Sequence, residues 1–486
     1  MMHDWANSAL DTALARGASY ADVRVVDVHS RDLTTKGGAV GTLHASESMG
    51  LGIRVIANGA WGFAATDRLA RESIEATAAT AVAIARASAT LKKHDLVLAP
   101  VEKVEAEWHS PCQSDPFAIS IDAQLNLLLQ ADEEMRRVPG VTLAETLMSF
   151  RRMDQLFAST IGSRIRQVKT ASGVGIVANS FDAHELQRRS YPNSLGGAWA
   201  LGGYELVEKA NVLAHARRVG EEAVALHKAI RCPEGKRDII LDGSQLALQI
   251  HESIGHPIEL DRVLGMEANF AGTSFLTLDK LDQLAYGSPI VNVVADARLE
   301  HGPALGTFAY DDEGVAAQRT DIIKNGLFVG YITSRETAPA LGQNYSNGTM
   351  RAESWNRIPL IRMTNISLLP GQGRLDDLMA DTRDGIYMET NRSWSIDDRR
   401  YHFQFGTEIG WEIKNGKRGR MIKNPSYSGI TTEFWNTCDA ISGPEEWVLW
   451  STPNCGKGQP MQTIGTGHGA APARFRDIQV GVANVK

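Results

Sequence analysis

The apolar positions of the first segment recur at the helical period. In "DWANSALDTALARG" they return every three to four residues, and Gly17 ends the run. From Ala21 the alternation changes to period two, which predicts a strand through "ADVRVVDVHSRDL". Two more strand stretches follow, "GAVGTLHAS" and "GLGIRVIANGAWGFAA". Asn58-Gly59 sits between apolar runs and predicts a hairpin, since both central turn positions want positive φ. From Asp67 the pattern returns to an Ala-rich helix with Asp67 as its cap. A second helix is predicted from Phe117 to Arg136, capped by Asp115 or Pro116. Strands then run through "TLAETLMSFRRMDQLFAST" and "RIRQVKTASGVGIVANS", and a third long helix spans roughly Tyr204 to Ala229.

The Pro-Glu-Gly turn in "RCPEGKRD" marks the expected domain boundary, dividing the chain into residues 1–230 and 231–486. Beyond one further helix the pattern becomes many short strands, among them "PIVNVVADARL", "TDIIKNGLFVGYITS", "GIYMETNRSWS" and "YHFQFGTEIGWEIKNGKRGRMIKNPSYSG". Asn325-Gly326 and Asn415-Gly416 supply hairpin turns. The expected fold is therefore α+β: an N-terminal α/β domain with long helices on a sheet, then a mostly antiparallel, barrel-like β domain.

Length and composition fit this picture. A chain of 486 residues exceeds what a single core normally holds. No apolar run approaches the ~18 residues of a membrane span, and the N-terminus reads as an amphipathic helix with acidic residues, not a signal peptide. A net charge of -7 argues against direct nucleic-acid binding, which needs clustered positive charge. Four scattered cysteines imply no disulfide framework, so a cytoplasmic location is expected.

Candidate chemistry concentrates in "LALQIHESIGHPIELDRV". Two histidines in H-E-x-x-H share one helix face; His251 and His256 are five residues apart, about 140° around an ideal helix. Gly255 and Pro257 flank the late histidine. Proline disfavours the α region for the residue before it, and glycine permits unusual angles, so the helix ends or distorts here. A one-residue π-type bulge is an equally good solution, and either lets the two imidazoles converge. The metal such a set would suit is Zn²⁺, with an open position for water and Glu252 as the base that moves the water proton. The competing reading is a pair of helix-end histidines satisfied by nearby carboxylates. Spacing leaves the third ligand open among Glu259, Asp261, Cys438, Cys455, His301, His402 and His468. Cys455 lies in a Gly- and Pro-rich stretch suited to a loop, whereas Cys438 has the setting of a small core residue.

"HESIGHPIELDR" together with "NCGKGQPMQTIGTG" resembles the TldD/PmbA, or modulator-of-gyrase, family. "GLGIRVIANGAWGFAA", "GTFAYDDEGVAAQRTDIIKNGLFVGYITSRETA", "RMTNISLLPG" and "FGTEIGWEIKNGKRGRMIKNPSYSG" extend the resemblance over nearly the whole chain. It implies a zinc metallopeptidase with His251, His256 and Cys455 as ligands and Glu252 as catalytic base. It also implies a two-domain subunit that pairs around an enclosed chamber, as a homodimer or with a metal-less TldE/PmbA-like paralogue. The implied substrate is an unfolded or modified peptide held by its backbone in extended form. With both histidines, the glutamate and a cysteine present, the chain resembles the metal-bearing, TldD-like type.

Other residues carry weaker expectations. Arg362 and Asn365, around "RMTN", are candidates for holding a peptide backbone. Glu408 is a candidate substrate-binding residue and, with His402, a candidate partner of the ligand histidines. "DDEG", Asp311 to Gly314, is expected as a tight acidic turn. His301 is read as a turn residue, and the C-terminal tryptophans mostly as packing. Two other functions fit a similar sequence: a regulatory or binding subunit without chemistry, and a metal-dependent amidase on small conjugates.

Overall fold

The computed structural model describes residues 1–194, 196–270 and 272–482. Its first half is built on an eight-stranded sheet. Along that sheet the strands Ala60–Thr66, Ala39–Ala57, Tyr20–Lys36, Leu143–Ser159, Arg164–Phe181 and Glu105–His109 lie side by side, and Leu186–Tyr191 and Ala198–Leu201 add to Arg164–Phe181. Asn58 and Gly59 form the predicted hairpin with φ of 52° and 72°. Helices Met2–Ala15 and Arg71–Ser88 bury small apolar residues (Ala6, Ala9, Ala13, Ala78, Ala81, Ala85) against one end of the sheet. Helices Ile121–Arg136 and Val212–Ala225 do the same at the other end.

Three helix boundaries differ from the pattern-based expectation. The Ala-rich helix starts at Arg71 behind Ala70, with no side-chain cap, so Asp67 lies outside it. The next helix starts at Ile121, where Ser120 accepts the Ala123 N–H. Asp115 instead accepts the Phe117 N–H at 2.9 Å, closing a local turn upstream of the helix. The third is two helices, Glu205–Ala210 and Val212–Ala225, broken at Asn211, which takes the left-handed conformation with φ of 45°.

In the second half, strands Asp384–Ile396, Gly235–Leu241, Ala473–Val482, Pro425–Ile430 and His402–Lys414 pair in sequence, and His402–Lys414 returns to pair with Asp384–Ile396. The result is a closed five-strand barrel, and the α+β expectation is met. Every pair in it is antiparallel except Gly235–Leu241 with Asp384–Ile396. Strand Gly235–Leu241 feeds directly into helix Gly243–Ile250, whose first turn is capped by Asp242 accepting the Ser244 N–H at 2.8 Å. All eight residues of this helix, "GSQLALQI", are buried. Its two glutamines are satisfied inside, Gln245 donating to the Tyr427 hydroxyl at 2.9 Å and Gln249 accepting from it at 3.0 Å, so the helix runs buried and carries its C-terminal end into the interior.

Buried charges join the two halves. Arg54, on the strand Ala39–Ala57, holds Asp22 at 2.6 Å and reaches Glu313 at 3.4 Å. "DDEG" does form a tight turn, with Asp311 accepting the N–H groups of Glu313 and Val315, but it is enclosed and not solvated. Asp312 accepts from Gln155 of the first sheet at 2.6 Å.

Candidate metal centre

Helix Gly243–Ile250 continues into a single π-type turn, in which the His256 N–H donates to the His251 carbonyl at 3.1 Å, five residues back. This is the bulge anticipated from the spacing, and the extra residue brings the imidazoles together, with ring centroids 4.8 Å apart at 84°. The local causes differ from expectation on two points. His256 keeps α-region angles, φ -68° and ψ -43°, despite Pro257; its contact with Glu259 and its burial outweigh the pre-proline preference. Gly255 is not among the positive-φ residues. It is required for space, because a Cβ there would lie 2.1 Å from the Met363 sulfur.

Cys455 arrives from the hairpin of Val448–Lys457 and Gln462–Ala470, at an irregularity in the pairing between Thr452 and Cys455. It lies on a strand, not in the expected loop. Its Sγ is 3.7 Å from His256 Nε2, and one donor atom from each of His251, His256 and Cys455 falls within 4.8 Å of the others in a buried cluster. Nitrogen and sulfur ligands on a tetrahedral zinc are themselves roughly 3.5 Å apart. The set therefore fits such an ion.

The surroundings sort the remaining candidates. Glu259 Oε2 lies 3.1 Å from His256 Nδ1, on the opposite side of the ring from Cys455, and 3.2 Å from Arg262 Nη2. Lys457, fully buried, donates to Asp261 at 2.7 Å and to the Ile361 carbonyl at 2.8 Å. Both near carboxylates are thus committed to cations. Arg362, also fully buried, donates from Nη2 to the Cys455 carbonyl at 2.6 Å. It braces the strand bearing the thiol. His468 packs on the far edge of His251, its Nε2 2.8 Å from His251 Nδ1. Glu252, buried next to His251 in the chain, accepts from Arg400 Nη1 through Oε2 at 2.7 Å.

Burial pushes His251 down to about 4, against the opposing pull of Glu252 and Glu259. His256 is lowered by the same cause, so both rings are neutral at physiological pH. Burial alone would raise the Cys455 thiol, but Arg362 and His256 outweigh it and hold it below its ordinary value. Burial likewise opposes ionisation of Glu259, and Lys457 and His256 reverse it, holding that carboxyl well below its usual range.

Several candidates lie outside the cluster. Glu408 accepts from the Ser190 N–H at 2.7 Å and from Arg189 at 3.2 Å, tying barrel to sheet. His402 is exposed beside Asp397. Asn365 is buried, donating to Thr307 at 2.9 Å, with its backbone bridged to Gly467 of the hairpin. Cys438 is a core residue whose thiol burial pushes up, and His301 is a half-exposed residue near Asp296. Of the tryptophans, Trp435 is fully buried, while Trp450 joins Trp199 and Tyr191 around a cavity of about 290 Å³. Arg400, Arg262 and Lys457 were not singled out in the sequence. For Lys457 a signal existed, a lysine two residues after the cysteine with Glu259 and Asp261 unpaired; Arg400 has none, since 148 residues separate it from Glu252.

A helix interrupted by one π turn thus brings two neutral imidazoles together with a thiol held below its ordinary pKa in one buried cluster, and Glu252 adjoins His251 in the chain. Profiles of the PmbA/TldA metallopeptidase C-terminal domain and of PmbA/TldA metallopeptidase domain 1 match residues 234–481 and 21–85. The chain belongs to the PmbA/TldA metallopeptidase family. It is 28% identical to a metalloprotease of Methanocaldococcus jannaschii over 93% of this chain and 95% of that protein. It is 25% identical to the zinc metalloprotease TldD homolog of Saccharolobus solfataricus, over 96% and 97% of the two chains. Among solved structures, a Thermotoga maritima protein described as a modulator of DNA gyrase aligns with TM-score 0.77 at 16% identity, over 99% of this chain and 100% of that one. TldE from Thermococcus kodakarensis aligns with TM-score 0.73 at 13% identity, over 98% and 100%. No helix among the described residues is long and apolar enough to cross a membrane.

Proposed function

We propose that this chain is a zinc-dependent peptidase that cleaves unfolded or modified peptides, with His251, His256 and Cys455 holding the ion and Glu252 as general base. The observation that carries the reading is the buried cluster of three donor atoms within 4.8 Å, with Glu252 next in sequence to one of them. Zinc, when bound, supplies a Lewis acid that acidifies water and polarises a carbonyl. The chain supplies the rest. Glu259 fixes the orientation of the His256 ring through Nδ1. Arg362 anchors the Cys455 carbonyl, so the thiolate is presented from a braced strand. Arg400 holds Oε2 of Glu252; among the described residues Oε1 has no partner. That oxygen takes a proton from the attacking water and returns it to the leaving amine nitrogen. The substrate lies extended, read through its main chain.

In the same reading the chain divides at residues 230/231 and works in the cytoplasm. It pairs with a second copy or with a metal-less TldE/PmbA-like paralogue, without contacting nucleic acid. The similarity to TldE supports the paired arrangement. The test is zinc content and peptide cleavage in the same preparations. Wild type is expected to carry one zinc per chain, and Glu252→Gln to keep the zinc and lose cleavage by at least about a hundredfold. Full cleavage by Glu252→Gln, or by chelated wild type, overturns the reading. Hydrolysis of blocked amides by wild type without any peptide cleavage points to an amidase instead.

A further inference from the structure

We propose that His468 is a positioning residue that fixes the tautomer of His251, so that Nε2 of His251 is the atom offered to the metal. The inference rests on the metal-centre reading above and concerns a ring outside the ligand set.

His468 Nδ1 lies 3.2 Å from the Ile366 oxygen. A carbonyl oxygen only accepts, so this nitrogen carries the hydrogen. Both rings are enclosed, His468 at 0% exposure and His251 at 3%, and a buried imidazolium without a carboxylate partner is strongly disfavoured. His468 is therefore neutral, and its Nε2 is a bare acceptor. That acceptor lies 2.8 Å from His251 Nδ1, which must donate to it. His251 Nδ1 then holds the only ring hydrogen, and the lone pair is left on Nε2. The opposite tautomer would face two lone pairs at hydrogen-bond distance inside a dry site. The Thr466 hydroxyl borders the same pair, 3.1 Å from His468 Nε2 and 3.4 Å from His251 Nδ1.

The chain of hydrogen bonds is built from separate elements. Ile366 begins the short strand Ile366–Leu368, and His468 lies on Gln462–Ala470, directly across from Trp450 on the strand that carries Cys455. One hairpin thus delivers the thiol on one strand and the orienting ring on the other. The two ligand histidines are treated differently: His256 leans on a carboxylate, Glu259, and His251 on a neutral ring. A neutral acceptor orients the ligand without adding a further negative charge to a centre that already holds a thiolate.

The test compares His468→Phe, which removes both nitrogens at similar size, with His468→Gln. The glutamine amide can still donate to Ile366 and accept from His251. Zinc affinity of the full chain is measured by competition with a chromophoric chelator, and cobalt-loaded protein reports ligand geometry through its visible spectrum. His468→Phe is expected to weaken zinc binding about ten- to a hundredfold and to alter the cobalt bands, and His468→Gln to recover most of both. Wild-type affinity in His468→Phe, or equal weakening by both substitutions, overturns the proposal. Wild type that binds no zinc sinks the metal-centre reading itself, which is a different result. A His468→Phe protein that fails to fold leaves the tautomer readable in wild type by nitrogen-15 histidine NMR. A hydrogen on His251 Nδ1 is expected there, and one on Nε2 overturns the assignment.

Discussion

Gly255→Ala separates two explanations for the glycine between the histidines. If the residue were needed for unusual backbone angles, no change elsewhere would rescue alanine. The structure gives a different reason: the added Cβ would lie 2.1 Å from Met363 Sδ and 3.2 Å from its Cγ. Ordinary contact is about 3.5–4.0 Å, so the overlap is about the length of a bond. Met363 is fully buried and must leave its rotamer, which costs about 1–3 kcal/mol. The strain falls one residue from His256, so zinc affinity drops with stability. Met363→Ala alone leaves a cavity and costs about 2–5 kcal/mol. Combining the two fills that space, and the pair is expected to couple favourably by about 1–3 kcal/mol. Urea denaturation followed by tryptophan fluorescence gives the stabilities, and chelator competition gives the affinities. A double variant whose cost equals the sum of the singles refutes the packing argument, as does a single Gly255→Ala protein as stable as wild type.

Two further predictions probe other parts of the molecule. Arg400→Gln removes the cation that holds Glu252 Oε2; a hydrogen bond to a charged group is worth about 1.5–3 kcal/mol. kcat for peptide cleavage should fall about ten- to a hundredfold with zinc content unchanged, and unaltered kcat would rule out that role. Arg189→Met removes a buried guanidinium bonded to Glu222 at 2.9 Å and Glu408 at 3.2 Å, and should destabilise the protein by about 3–5 kcal/mol at pH 8. Its neighbour Glu389 is pushed up to about 7 by burial and Asp242, against the pull of Arg189, and burial also raises Glu408. A carboxyl raised in the folded state adds stability below its unfolded pKa and loses it as pH rises through the folded value. Removing Arg189 raises both groups further, so the penalty should shrink between pH 8 and pH 5.5 in thermal melts. An equal penalty at both pH values contradicts this.

Much of the fold was legible because the signals are local. Period-two alternation located the strands Tyr20–Lys36, Leu143–Ser159 and Arg164–Phe181, and three Asn-Gly pairs located hairpins, all with φ near 50° at the asparagine. A turn that demands positive φ writes itself into two residues. Helix starts were less legible. Asp67 and Asp115 were plausible caps, yet the Ala-rich helix starts at Arg71 with no side-chain cap and the next is capped by Ser120. At the candidate site, the spacing of His251 and His256 with Gly255 and Pro257 was enough to anticipate a bulged helix.

What the chain by itself determined, then, is the periodic elements, the hairpin turns and one helix that cannot stay regular where its histidines fall. Which groups meet there was decided only by the tertiary structure. Cys455, His468 and Arg400 reach the helix end across about 150 to 220 residues through a barrel and a hairpin, and Glu408, equally suggestive in sequence, is turned toward Arg189 instead. Side-chain convergence over such separations depends on strand register and burial, and a one-residue shift would send every side chain of a strand to the opposite face. Even Gly255 owes its place to Met363, a neighbour 108 residues away that packs against the bare backbone.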